Sequence, residues 1–142
     1  MLQQHEGLEL KPYTDTRGKL SIGYGRCIET IGISIAEAEL MLDNDITDAI
    51  RRAKQVFPWF DTLDSVRQDI IVMMAFNLGI AKLGDFVQMI QAIKNGDFHL
   101  ASQEMMSSAW ARQVGSRALV LSRMMNSGKY PDPGNNDPGA GT

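Results

Sequence analysis

Glu6, Asp15 and Ser21 are the side chains whose types and spacing could carry chemistry. Asp15 lies nine residues after Glu6, and Ser21 six residues after Asp15. A protonated carboxyl can deliver a proton to a departing glycosidic oxygen. An ionised carboxylate can activate water or balance positive charge at an anomeric carbon. A hydroxyl can hold the attacking water. Spacing alone carries little weight, because pairs of acids this close are commonplace and solvated surface charge is their ordinary explanation.

These groups can meet only if the chain turns back on itself around them. Residues 1–11 carry Leu2, Leu8 and Leu10 in a polar background, which predicts a short helix with Glu6 near its end. Pro12, the turn signal Asp15-Thr16-Arg17-Gly18 and the run Lys19 to Gly25 predict a small antiparallel hairpin or meander over 12–26. Ser34-Ile35-Ala36-Glu37 reads as a capping box. It opens a long helix to about Gln55, in which Ala38, Leu42, Ile46 and Ala49 recur at helical spacing. Pro58 ends that element. A second helix is expected from about Ser65 to Leu78, closed by Gly79. Its apolar run Ile70 to Phe76 predicts central burial. Shorter helices are expected at about 83–94, 98–107 and 117–126. The expected fold class is α+β and predominantly α-helical. A small β-containing N-terminal lobe and a helical C-terminal lobe are joined by the long helix, with a cleft between them. One domain is expected over residues 1–129, with a Pro/Gly-rich flexible tail over 130–142.

Composition narrows the function classes. The 142 residues suit one core, and the net charge of −3 lacks the basic excess usual in nucleic-acid binders. No nucleic-acid partner is expected. No apolar run reaches membrane-spanning length, so no membrane insertion is expected. The start MLQQHEGLELK has neither a basic n-region nor an apolar h-region, so no secretory signal is expected. The single cysteine, Cys27, leaves no intrachain disulfide. Cys27 has no paired His-and-base arrangement for a nucleophilic role. His5 and His99 stand apart, so no metal site is expected; His5 could tune its neighbour Glu6. Gly23-Tyr24-Gly25 lacks the pattern of a phosphate loop.

The residues around the acids are more specific than the acids themselves. His5-Glu6-Gly7-Leu8, Lys11-Pro12-Tyr13-Thr14-Asp15-Thr16 and Gly18-Lys19-Leu20-Ser21-Ile22-Gly23-Tyr24-Gly25 resemble the phage-lysozyme (endolysin) signature in order, spacing and type. The resemblance continues through Ser34 to Asp45, Asp61 to Arg67, Phe76 to Gly79, Trp110 and Arg117. It thus covers residues 1 to about 127. It implies a lysozyme-like fold and a muramidase that cleaves the β-1,4 bond between N-acetylmuramic acid and N-acetylglucosamine in peptidoglycan. Glu6 would be the general acid, Asp15 the base that positions water, and Ser21 the residue that holds the water. The family usually has Thr at that last position. Ser keeps the hydroxyl but loses the methyl that restricts its rotamer. Family members invert at the anomeric carbon, which asks for carboxyls roughly 6.5–9.5 Å apart.

The resemblance implies supporting residues as well. Arg117 matches a basic residue that pairs with the acidic Glu, the alternative being a surface salt bridge. Arg26 and Asp45 match an ion pair between the small lobe and the long helix, read as structural. Phe76 and Asn77 would border the sugar groove; core packing and helix capping are their respective alternatives. Tyr13 and Tyr24 are read as structural before sugar-stacking, Trp59 and Trp110 as core anchors, and the methionines as core filler. The expected partner is the peptidoglycan glycan strand, met by a monomer. No cofactor is needed for acid–base glycoside hydrolysis. The family implies accumulation in the host cytoplasm and action on the wall after release. Two other classes stay open: a lysozyme-like domain that binds wall or protein with little hydrolysis, and a transglycosylase needing only one acid.

Overall fold

The computed structural model describes residues 7–132. The described residues divide into two compact units, one up to Asn44 and one from Asp45 onward. The predicted α+β, mainly helical architecture is what the described residues show.

The first unit holds an antiparallel sheet of strands β1 (Glu9–Thr14), β2 (Leu20–Gly23) and β3 (Arg26–Cys27), in that spatial order. Glu9 pairs with Gly23, Tyr13 with Ser21 and Thr14 with Leu20, with a shift in register between Glu9 and Tyr13. Pro12 falls inside that shift. A proline has no N–H for the ladder, so it is tolerated on an edge strand or at a bulge, and β1 is an edge strand. The expected helix over 1–11 is therefore wrong from Glu9 onward, where the chain is already extended. Residues 1–6 of that expectation lie outside the described residues. Three leucines in a polar background misled here, because pairing with β2 decides the backbone from Glu9 onward.

Helix α1 (Ile35–Val56) starts at the predicted capping box. Glu37 N–H donates to Ser34 Oγ at 3.1 Å, and Ser34 N–H donates to Glu37 Oε1 at 2.9 Å. Of the apolar positions expected to face a core, Ala49 is buried with Ala53, whereas Leu42 and Ile46 are exposed.

The second unit carries the main core. Helix α2 (Ser65–Leu78) has the predicted bounds. Asp64 caps it by accepting from Arg67 N–H, and the Gly79 N–H closes it on Ala75 O. Val66, Ile70, Ile71, Val72, Met74 and Ala75 are buried. Met73 and Phe76 are exposed, so burial of this apolar helix is incomplete. The helix expected over 83–94 is two: α3 (Ile80–Gly84) and α4 (Val87–Lys94). Phe86 leaves helical geometry between them, and its ring stands edge-on to Trp110 at 6.4 Å. Helices α5 (Phe98–Met106), α6 (Ala109–Val114) and α7 (Ser116–Ser127) complete the unit. Helix α6 was not expected; Ser108 Oγ caps it by accepting from Ala111 N–H at 3.2 Å. Trp110, Met74, Met89, Met105, Met124 and Met125 are core residues, as predicted, whereas Met41, Met73 and Met106 are exposed, against the expectation that the methionines fill the core. No helix among the described residues is long and apolar enough to cross a membrane.

Tyr130 was expected to open a flexible tail. Its hydroxyl instead donates to Asp69 on α2. Residues 133–142 of that tail lie outside the described residues.

Candidate active site

Asp15 sits in the turn between β1 and β2. Its N–H donates to Lys19 O at 2.8 Å, and Gly18 N–H donates to Asp15 O at 3.0 Å. Gly18 takes φ +77, a left-handed angle that a side chain would strain. The turn folds the chain so that its own amides face the Asp15 carboxylate. Oδ1 accepts from Arg17 N–H at 2.8 Å and Lys19 N–H at 2.9 Å. Oδ2 accepts from Ser21 Oγ and from the Arg17 guanidinium, each at 3.3 Å. The Lys19 amide is the largest influence holding Asp15 below the usual carboxylate range. Partial burial opposes it, and the Arg17 amide and guanidinium add to the lowering. Asp15 is thus an ionised carboxylate, as an acceptor of protons or a holder of water must be.

Ser21 is buried, at 1% exposure, on the central strand of the sheet. It pairs with Tyr13 on one side and Cys27 on the other. The strand fixes its backbone, so its hydroxyl reaches Asp15 without help from a long, mobile side chain. Glu29 accepts from Leu20 N–H at 2.8 Å and ties down the same strand one residue earlier. Cys27 is buried, and its thiol donates to Thr30 Oγ1 at 3.4 Å.

Glu6 and its neighbour His5 lie outside the described residues. Arg117, expected to meet Glu6, is exposed in the first turn of α7.

Arg26 does not take the expected partner Asp45. Its Nη1 donates to Glu37 Oε1 at 2.5 Å and to Gly32 O at 3.4 Å. The capping box explains the change, because it presents the Glu37 carboxylate at the start of α1. Ser34 N–H is the main reason Glu37 is held down at about 2; Arg26 and the Ser34 hydroxyl add to it. Asp45 lies instead on the wall of an open pocket of about 430 Å³ that also holds Asp48, Arg52, Phe76 and Ile80. Phe76 is 53% exposed there, which rules out core packing. Asn77 is not the helix cap. Its Oδ1 accepts from Trp110 Nε1 at 3.2 Å and satisfies a buried indole. Tyr24 is exposed and walls an open groove of about 1220 Å³ in the first unit, with Ile31, Ile33 and Leu40. Among the described residues no group of three or more His, Cys, Asp or Glu could hold a metal ion.

Sequence reasoning missed Arg17 and Glu29. Arg17 was visible only as part of a turn signal. Its closeness to Asp15 Oδ2 follows from the turn geometry, which a residue pattern does not show.

An extended hairpin carrying a buried hydroxyl on an ionised Asp, joined to a helical unit, defines a lysozyme-like α+β protein. The chain belongs to the phage lysozyme family, whose model matches residues 3–126. Membership places it among lysozyme-type glycoside hydrolases. The pre-baseplate central spike protein Gp5 of Enterobacteria phage T4 is 28% identical over 162 residues, covering 94% of this chain. The chain spans only 28% of that relative's length. Two proteins of Dictyostelium discoideum match over most of their own lengths. Probable T4-type lysozyme 1 is 25% identical, covering 90% of this chain and 92% of itself. Probable T4-type lysozyme 2 is 24% identical, covering 83% of this chain and 86% of itself.

Proposed function

We propose that this chain is an endolysin-type muramidase that hydrolyses the β-1,4 bond between N-acetylmuramic acid and N-acetylglucosamine in peptidoglycan. The observation that carries the reading is Ser21 Oγ set 3.3 Å from Oδ2 of an Asp15 held ionised. A hydroxyl donor and a carboxylate acceptor side by side are what a water needs to be aimed and deprotonated. Glu6 protonates the leaving oxygen. Water held by Ser21 and Asp15 attacks the anomeric carbon from the opposite face, and the product is inverted. Arg117 steadies the Glu6 charge, and Phe76 and Asn77 border the sugar groove. Asp45 and Arg26 serve the scaffold and not the reaction. The protein works as a monomer on glycan strands without a cofactor. It reaches the wall after release from the host cytoplasm.

The test is clearing of purified peptidoglycan by wild type and Glu6→Gln side by side, with mass spectrometry of the products. Clearing by wild type alone, with reducing ends released, is expected. Anhydro ends would replace this reading with a transglycosylase. Wall binding without any release of reducing sugar would replace it with a binding domain, a reading the unusual Ser21 invites.

A further inference from the structure

The four hydrogen bonds to Asp15 divide by oxygen. Oδ1 takes the two turn amides, Arg17 N–H and Lys19 N–H. These fill its two lone-pair directions, and any Asp at this turn position would make them. Oδ2 takes two side chains, Ser21 Oγ and the Arg17 guanidinium. Oδ2 is therefore the oxygen left for chemistry, and Arg17 reaches it from the solvent side. The Arg17 side chain is 73% exposed, while that of Asp15 is 18% exposed. An exposed cation usually contributes little to folding. Here it touches the atom that must accept a proton.

We propose that Arg17 is a positioning residue for the reaction: its guanidinium, bonded to Asp15 Oδ2, turns that oxygen toward Ser21. This rests on the reading of Asp15 as the base. A point charge against Oδ2 adds to the turn amides in keeping the carboxylate ionised as the solution becomes acidic, and so helps activity extend below neutral pH. Other groups also face Asp15. Lys19 shares its turn, and Cys27, on β3, feels the Asp15 charge. Glu29 lies beside them, bound to Leu20 N–H. Glu6 lies outside the described residues. Arg17 is the only described side-chain cation that bonds Asp15 directly. Removing it makes Asp15 protonate at higher pH.

The experiment follows two quantities against pH in wild type, Arg17→Lys, Arg17→Gln and Arg17→Glu. One is kcat/KM for reducing-end release from purified peptidoglycan. The other is the carbon-13 resonance of the Asp15 carboxyl, which needs no activity. The Asp15 midpoint and the acid limb of kcat/KM should both move to higher pH in Arg17→Gln. They should move further in Arg17→Glu and stay near wild type in Arg17→Lys. An Asp15 midpoint unmoved by Gln and Glu would overturn the proposal, as would a moved midpoint with an unmoved acid limb. Asp15→Asn is assayed beside them. Full activity in that variant would sink the base reading itself, an outcome separate from anything the Asp15 resonance reports.

Discussion

Ser21 and Asp15 meet across one turn, Oγ to Oδ2 at 3.3 Å, although six residues separate them in the chain. The strand pairing of Thr14 with Leu20 and the turn amides on Oδ1 leave the carboxylate little freedom. The hydroxyl is one of the two side-chain partners of Oδ2, the Arg17 guanidinium being the other. Ser21→Ala should lower kcat by roughly 10- to 100-fold, the loss of one charge-assisted hydrogen bond in the transition state. Ser21→Thr should restore or exceed wild type, because the added methyl limits the rotamer. Steady-state kinetics of reducing-end release checks both.

The Glu37 carboxyl should report its double role in acid. Held down at about 2 in the folded state, against an ordinary value of 4.5, it contributes stability that is fully present above pH 4.5. That contribution drains away as pH falls toward about 2. Glu37→Gln keeps a capping-box side chain but carries no charge for Arg26. Thermal melts of the two proteins should therefore differ at pH 6 and converge as the pH falls to about 2 and below, where Glu37 loses its charge. A constant gap in Tm across that range would count against the ion pair.

Two glycines should respond oppositely to alanine. Gly128 ends α7 at φ +71, and a Cβ there would stand 2.9 Å from Arg67 Nη1. Arg67 cannot easily withdraw. It donates to Met125 O at 2.8 Å and lies 3.6 Å over the Phe98 ring. Gly128→Ala should cost about 1–2 kcal/mol or more. Gly84 ends α3 without a left-handed angle and with nothing near its would-be Cβ, so Gly84→Ala should be neutral or stabilising by up to about 1 kcal/mol. Chemical denaturation of both variants decides.

Asn77 joins a structural bond to a proposed groove position, and the two can be separated. Asn77→Ala leaves the Trp110 indole N–H unpaired in the core and should cost about 1–3 kcal/mol of stability. Asn77→Asp keeps an acceptor and should lose less. Denaturation midpoints read the structural part, and KM on peptidoglycan reads the groove part. A KM that changes in Asn77→Asp while stability holds would place the residue at the sugar.

Local rules made much of this protein legible in its sequence. The Ser34–Glu37 capping box, the bounds of Ser65–Leu78 with Asp64 before it and Gly79 after it, and the β character around Asp15 to Gly25 all follow from neighbours within a few residues. The motif that ties Asp15 and Ser21 to one family is local too. What failed was decided at a distance. The strand begins at Glu9 because β2 pairs with it. The 83–94 run breaks at Phe86, whose ring lies edge-on to Trp110, twenty-four residues onward. Arg26 takes Glu37 in place of Asp45 because the cap holds that carboxylate ready. Asn77 is committed to Trp110 across thirty-three residues. Hydrogen-bond partners and the field at a carboxylate depend on which groups tertiary packing brings within about 3 Å, and one-dimensional spacing does not encode that. Sequence alone thus determined the elements and the family signature. Tertiary structure decided what Arg26 and Asn77 touch and that Phe76 is exposed, because distance in space governs charge, burial and hydrogen bonding.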